Sequence, residues 1–242
     1  MKKLRKPLLY LFPNALLKKS NELIQTQFSH EIAIMENILV AGANGTTGKK
    51  IVTLLESSQY FNPVAMVRKK EQQEQFEKRN IKTVLADLEE DVFHTTENID
   101  KVIFAAGSGG KKVKDVDENG AKKLIDASKN TKVKKFIMLS SMGADNPEEA
   151  EDLKEYLQAK HNADIYLRNS NIPFSIVRPG SLTDDKGKGK IELSEKLNKR
   201  GEISRDDVAQ TLVRVLHDSA TVNETFEIIK GDTLIGKAIG PF

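Results

Sequence analysis

"NILVAGANGTTGKKIVTLL", Asn37 to Leu55, joins an apolar run to a run of helical period across three glycines, Gly42, Gly45 and Gly48, that stand three apart. A glycine triplet alone says only that the chain bends. A phosphate-binding turn also needs a strand before it, a helix after it, and a place in a repeating βα pattern. In that setting the glycines allow a tight turn, close approach of backbone to a pyrophosphate and close packing of the helix, whose first amides and dipole favour an anion. Thr46 and Thr47 add hydroxyls at the same point.

The rest of the chain supplies the setting. After "NILVA" a helix is expected from about Thr47 to Ser57, with Ile51, Val52, Leu54 and Leu55 as its apolar stripe. "PVAMVR", "IKTVLAD", "KVIFAAG", "VKKFIMLSS" and "PFSIVRPG" read as five further strands, separated by amphipathic segments that include a long helix from Glu148 to Asn169. Six strands alternating with helices predict an α/β fold, a doubly wound, mostly parallel Rossmann-like sheet with helices on both faces. Ligands in such sheets lie beyond the carboxyl ends of the strands. The last 60 residues differ: "DKGKGK", Asp185 to Lys190, reads as a solvated flexible loop, "SRDDVAQTLVRVL" as a helix capped by Ser204, and "TFEIIKG" as a late strand. Residues 181–242 are expected to line the substrate side of one domain spanning 35–242.

Composition narrows the classes of function. The 242 residues include no cysteine, which excludes disulfides, thiolate zinc sites and cysteine nucleophiles. That suits a reducing compartment, and a cytoplasmic location is expected. The four histidines show no ligand-like spacing, so no metal site is predicted. The formal charge is +3, yet residues 1–34 carry a net +4 and the remainder about −1, with no basic face or interleaved aromatics for nucleic acid. The first 34 residues begin with a signal-like charge order, "MKKLRK" then "PLLYLFPNALL". Two prolines and an asparagine interrupt the apolar segment, no cleavage motif follows, and it is too short to span a bilayer. Met35 opens a strand at once, so 1–34 reads as an extension, and no integral membrane segment is expected. Gly48 is followed by Lys49 and Lys50 rather than Lys-Ser/Thr, which excludes a P-loop. "AAGSGG" lacks the glycine spacing of a serine hydrolase elbow.

The second strand bears on the choice of dinucleotide. An NAD site usually ends it with Asp or Glu, to bind the ribose diol. Here Arg68 stands twenty residues after Gly48, with Lys69 and Lys70 beside it. A guanidinium pairs with the 2′-phosphate of NADP, so NADP is expected over NAD, with NAD still possible.

"GANGTTG", "MVRKK", "LADL", "IFAAG", "FIMLSS", "YLQAK" and "SIVRPG", in this order from Met35 to the C-terminus, resemble the atypical short-chain dehydrogenase/reductases. The NmrA-like NAD(P)-binding and small flavin or biliverdin reductase-like branches are the most similar. The resemblance implies that Gly42, Asn44, Gly45, Thr46, Thr47 and Gly48 hold the pyrophosphate and Arg68 the adenosine phosphate. By the same resemblance Asp87 and Leu88 lie at the adenine, Ala105, Ala106 and Gly107 line the cofactor ribose, and Pro179 and Gly180 flank the nicotinamide. It further implies a catalytic serine, Ser141 with Ser140 beside it, and a Tyr156/Lys160 pair. Residues four apart share a helix face, so the ammonium can support a phenolate and also bind ribose hydroxyls. The phenol handles the proton that accompanies hydride transfer, and the serine polarises a carbonyl. "AAGSGG" replaces the asparagine-rich motif of classical members, and atypical members often lack the catalytic trio. The implied activity is NAD(P)H-dependent reduction of a small carbonyl, quinone or flavin-like acceptor by a monomer or homodimer. Two alternatives stand beside it: a non-catalytic NADP-sensing regulator, and an epimerase or dehydratase of the sugar-nucleotide type.

Overall fold

The computed structural model describes residues 35–150, 152–218 and 220–240, so the reading of 1–34 lies outside the described residues. β1 (Glu36–Ala41) alternates its side chains between two buried layers, as the period of two along a strand requires. Ile38 and Val40 pack into one apolar cluster with Ile51, Leu55, Val208 and Leu212. Leu39 and Ala41 pack into the other with Leu124, Ile125 and Leu167. A strand buried on both faces reads as the near-continuous apolar run seen in the sequence.

On either side of β1 lie β2 (Phe61–Val67) and β4 (Lys101–Phe104), both parallel to it. β3 (Lys82–Leu85) extends the sheet beyond β2, and β5 (Lys135–Leu139) and β6 (Phe174–Pro179) extend it beyond β4. The order therefore reverses between β1 and β4, the topological switch point at which open α/β sheets form their crevice. The helices are α1 (Thr46–Glu56), α2 (Lys70–Glu77), α3 (Ala121–Asn130), α4 (Lys154–Arg168) and α5 (Arg205–Arg214), then a short α6 (Ile235–Ala238). Among the described residues no helix is long and apolar enough to cross a membrane.

The C-terminal part joins the same sheet, which reaches nine strands. Between them, β7 (Ser181–Thr183) and β9 (Glu202–Ser204) form a separate small pair. β10 (Glu224–Lys230), the expected late strand, adds parallel to β6. β8 (Lys190–Ser194) and β11 (Thr233–Leu234) add antiparallel beyond it.

Local departures from the sequence reading have physical causes. The expected helix from Glu148 breaks into a single 3-10 turn, Pro147–Glu149, and α4 starts only at Lys154, because Leu153 takes a left-handed φ of 62°. Leu54 is exposed rather than part of the α1 stripe, whose buried members are Thr47, Gly48, Ile51, Val52 and Leu55. The "DKGKGK" loop is tied down: Gly187 N donates to Asp206, and Lys188 N and Gly189 N donate to Asp207, at the start of α5.

Candidate functional site

A cavity of about 860 Å³ opens at the carboxyl ends of the parallel strands. Its floor begins at the glycine turn. Gly42 has φ +85°, and a Cβ on it would lie 2.6 Å from the Ala106 backbone, so only glycine lets the loop after β4 close on this turn. A Cβ on Gly48 would lie 2.0 Å from the Gly42 carbonyl oxygen, so Gly48 sets the contact of α1 with the turn rather than lining the cavity. The α1 N-terminus has no side-chain cap and no acidic residue in its first turn. Thr46 and Thr47 at that terminus, with Asn44 and Gly45, line the cavity, and the buried Asn44 Oδ1 has no hydrogen-bond partner among the described residues. Uncapped amides at a positive helix end suit an anion such as phosphate.

At the end of β2, Gln72 Oε1 accepts from the amides of Arg68 and Lys69, which fixes the backbone that carries the exposed Arg68 side chain on the cavity wall. Next to it lie Asp87 and Leu88. Asp87 accepts from Glu89 N, and Lys123 Nζ donates to the carbonyls of Leu88, Glu89 and Glu90, pinning this loop. Ala105, Ala106 and Gly107 follow from β4.

The far end of the cavity holds Leu139, Ser140, Tyr156 and Lys160. The Lys160 ammonium is 3% exposed, donates to the Leu139 carbonyl at 3.2 Å and lies 5.6 Å from the centre of the Tyr156 ring. Helix α4 thus presents both side chains on one face, as the four-residue spacing dictates. The Tyr156 hydroxyl has no partner among the described residues.

Ser140, not Ser141, is the serine at the cavity; Ser141 Oγ donates to the Met142 carbonyl and lines nothing there. Three donors converge on one oxygen beneath it. Arg178 Nε and Nη2 reach Asp164 Oδ2 at 3.0 and 2.9 Å, and Ser140 Oγ reaches the same oxygen at 2.9 Å. A guanidinium only donates, so Oδ2 carries no proton and the serine must donate to it. Ser140 therefore offers the cavity lone pairs rather than a hydrogen. Burial pushes the Asp164 carboxyl up while the Arg178 charge pulls it down, and burial prevails. Pro179 and Gly180 also lie outside the lining: a Cβ on Gly180 would meet the Gly201 carbonyl at 2.2 Å, so this glycine joins β6 to the β9 region.

Asp117 is the residue that sequence reasoning missed. It sits in a π-helical stretch, Val113–Gly120, that runs into α3, and such wide turns recur at functional sites. One carboxylate oxygen accepts from Ser108 N at 3.0 Å; the other lies 3.7 Å from Lys160 Nζ and has no hydrogen bond among the described residues, although the residue is 1% exposed. The signal was present: Val113, Val116, Asp117, Gly120, Ala121 and Leu124 trace one buried stripe, and a carboxylate on such a stripe needs a reason.

A glycine turn, an uncapped helix and a switch-point crevice define a nucleotide-binding doubly wound protein. Residues 42–219 match the model of the NAD(P)H-binding family, and the chain belongs to that family. It is 40% identical over 210 residues to an uncharacterized sugar epimerase of Bacillus subtilis, YhfK, covering 84% of this chain and 98% of the relative. A Bacillus halodurans protein provisionally named an NAD-dependent epimerase/dehydratase is 36% identical, with a TM-score of 0.81 over 84% of this chain and 98% of its own. ChuY, an anaerobillin reductase of Escherichia coli O157:H7, shares the fold at 20% identity and a TM-score of 0.73, over 81% of this chain and 98% of its own.

Proposed function

We propose that the protein is an NAD(P)H-dependent reductase with NADP preferred, acting on a small carbonyl, quinone or flavin-like acceptor. The observation that carries this reading is the Tyr156/Lys160 face of α4, which opens into the same cavity as the glycine turn and leaves the phenol hydroxyl unengaged. The residues at the near end fit a dinucleotide: the uncapped α1 terminus for its diphosphate, Arg68 for a 2′-phosphate, and Ala105 to Gly107 along a ribose. A bound NADPH supplies the hydride.

The chain's own residues supply position and the proton. Tyr156 donates its hydroxyl hydrogen to the oxygen or nitrogen of the acceptor as charge develops there. Lys160, held by the Leu139 carbonyl and the Asp117 carboxylate, keeps an ammonium beside the resulting phenolate and within reach of sugar hydroxyls. Ser140, its hydrogen committed to Asp164, accepts a hydrogen bond from the ligand instead of polarising a carbonyl. Asp117, whose oxygen facing Lys160 accepts no hydrogen bond among the described residues, accepts from a hydroxyl at the same end.

Oxidation of NADPH followed at 340 nm against a panel of quinones, flavins and aldehydes tests the reading, with Tyr156→Phe as the paired variant. Turnover with at least one acceptor, falling about 100-fold in the phenylalanine variant, is the expected result. No turnover with any acceptor, or turnover indifferent to the loss of the phenol, removes the catalytic assignment and favours a nucleotide-sensing role.

A further inference from the structure

The cavity wall contains cations whose engagements differ. Lys112 is held by Glu89 at 2.7 Å, and Lys160 by Leu139 and Asp117. Arg205, the first residue of α5, is another matter. Its side chain is three-quarters buried, yet its hydrogen bonds among the described residues run only from Nη1, to Asp184 Oδ1 at 3.0 Å and to the Leu182 carbonyl at 3.5 Å. Nε and Nη2 have no partner there. Asp184 is itself 74% exposed, and an ion pair with one partner in water is weak.

The position of Arg205 is fixed from behind. Asp206 pairs with Lys50 of α1 at 2.6 Å, and Lys50 stands one helical turn beyond Thr46 and Thr47. Asp206 and Asp207 also anchor the 187–189 loop. The start of α5 is therefore docked beside the first turn of α1, and Arg205 shares a cavity with Gly45, Thr46 and Thr47.

We propose that Arg205 is a second anchor for the dinucleotide, clasping its diphosphate from the side opposite the α1 amides, and that Asp184 is the internal anion the diphosphate displaces. This rests on the cavity holding a dinucleotide. The planar fork of a guanidinium suits paired phosphate oxygens, and a fork resting on an exposed carboxylate exchanges it for a phosphate at little cost. Leu182, whose carbonyl Arg205 also contacts, lines the same wall.

The test measures dissociation constants of NADPH, NADH and adenosine 2′-monophosphate by titration, with thermal unfolding of each variant as the folding control. Arg205→Gln is expected to weaken NADPH and NADH by the same factor, about tenfold, because both carry the same diphosphate. Adenosine 2′-monophosphate, which lacks the diphosphate, should be unaffected. Arg205→Lys, which keeps the charge and loses the fork, should fall between, and it carries the test if the glutamine variant fails to fold. Asp184→Asn should tighten both dinucleotides about twofold by removing the competitor, while Asp185→Asn should not. Dinucleotide affinities unchanged in Arg205→Gln, or a loss shared equally by adenosine 2′-monophosphate, overturns the proposal and leaves the cavity's nucleotide reading standing. Failure of the unaltered protein to bind either dinucleotide overturns the reading itself, and the proposal falls with it.

Discussion

Replacing Gly48 by alanine isolates the contact on which the phosphate turn depends. The added Cβ would lie 2.0 Å from the Gly42 carbonyl oxygen, 2.8 Å from the Gly42 carbonyl carbon and 2.9 Å from the Ala43 Cα, all backbone atoms with no rotamer to change. Ordinary contact begins at 3.4 Å, so α1 and the turn must separate by about 1.4 Å. The turn cannot yield in the other direction, because Gly42 already abuts the Ala106 backbone. Overpacking of this kind costs about 1–3 kcal/mol, which in a chain of this size lowers Tm by about 2–12 °C. The larger effect falls on binding. Displaced α1 amides lose two charge-assisted hydrogen bonds to phosphate, about 3 kcal/mol together, or about 100-fold in Kd. Gly45→Ala is the control: its Cβ would meet only the Gly42 oxygen, at 3.2 Å, and exchanging glycine for alanine at an N-cap costs about 1 kcal/mol or less. Fluorescence titration with NADPH and thermal unfolding of both variants check the pair. If Gly48→Ala unfolds no earlier than Gly45→Ala and binds NADPH as the unaltered protein does, the steric argument for the turn is wrong.

Asp164→Ala removes three hydrogen bonds beneath Ser140 and leaves the Arg178 guanidinium, 5% exposed, with only the longer 4.0 Å pair to Asp145; a loss of about 3 kcal/mol in chemical denaturation is expected, and a loss under 1 kcal/mol contradicts the buried pair. Lys135 donates to the Val215 and Ala220 carbonyls, and burial followed by the Lys101 charge pushes its ammonium down from 10.5 to about 8, against the smaller opposing pull of Asp218 and Glu224. Below pH 8 the folded and unfolded chains both hold this proton, and the penalty for burying it is complete. Between about pH 8 and 10.5 the unfolded chain holds more protons, so the Lys135 contribution to stability rises with pH, by about 3 kcal/mol. The stability difference between the unaltered protein and Lys135→Met should shift by that amount over this range; a constant difference would sink the argument.

Most of the fold was legible because βα alternation leaves strong periodic signals: β1 to β6 fall where apolar runs stand, and α3 buries Ala121, Leu124, Ile125 and Ala127 as the pattern requires. β8 was not legible, since "KIELS" carries one fully buried residue, Ile191, and its place depends on pairing with β10, a contact distant in sequence. The break at Leu153 escaped because no local propensity announces a leucine in the left-handed region. At the site, the glycine turn and Arg68 stand out by spacing, and Tyr156 and Lys160 by the family resemblance. Asp117 shows only as a carboxylate on an apolar stripe and the Asp164–Arg178 pair not at all: their partners come from separate elements, and only the fold brings each to the cavity or beneath it.

Titration of the protein with NADPH and NADH, repeated on Arg68→Glu, tests the cofactor claim most directly. The unaltered protein should bind NADPH at least tenfold more tightly than NADH, and the glutamate variant should reverse that order by repelling the 2′-phosphate and accepting from the ribose diol. Equal affinities in the unaltered protein, or an order that survives the substitution, would contradict it.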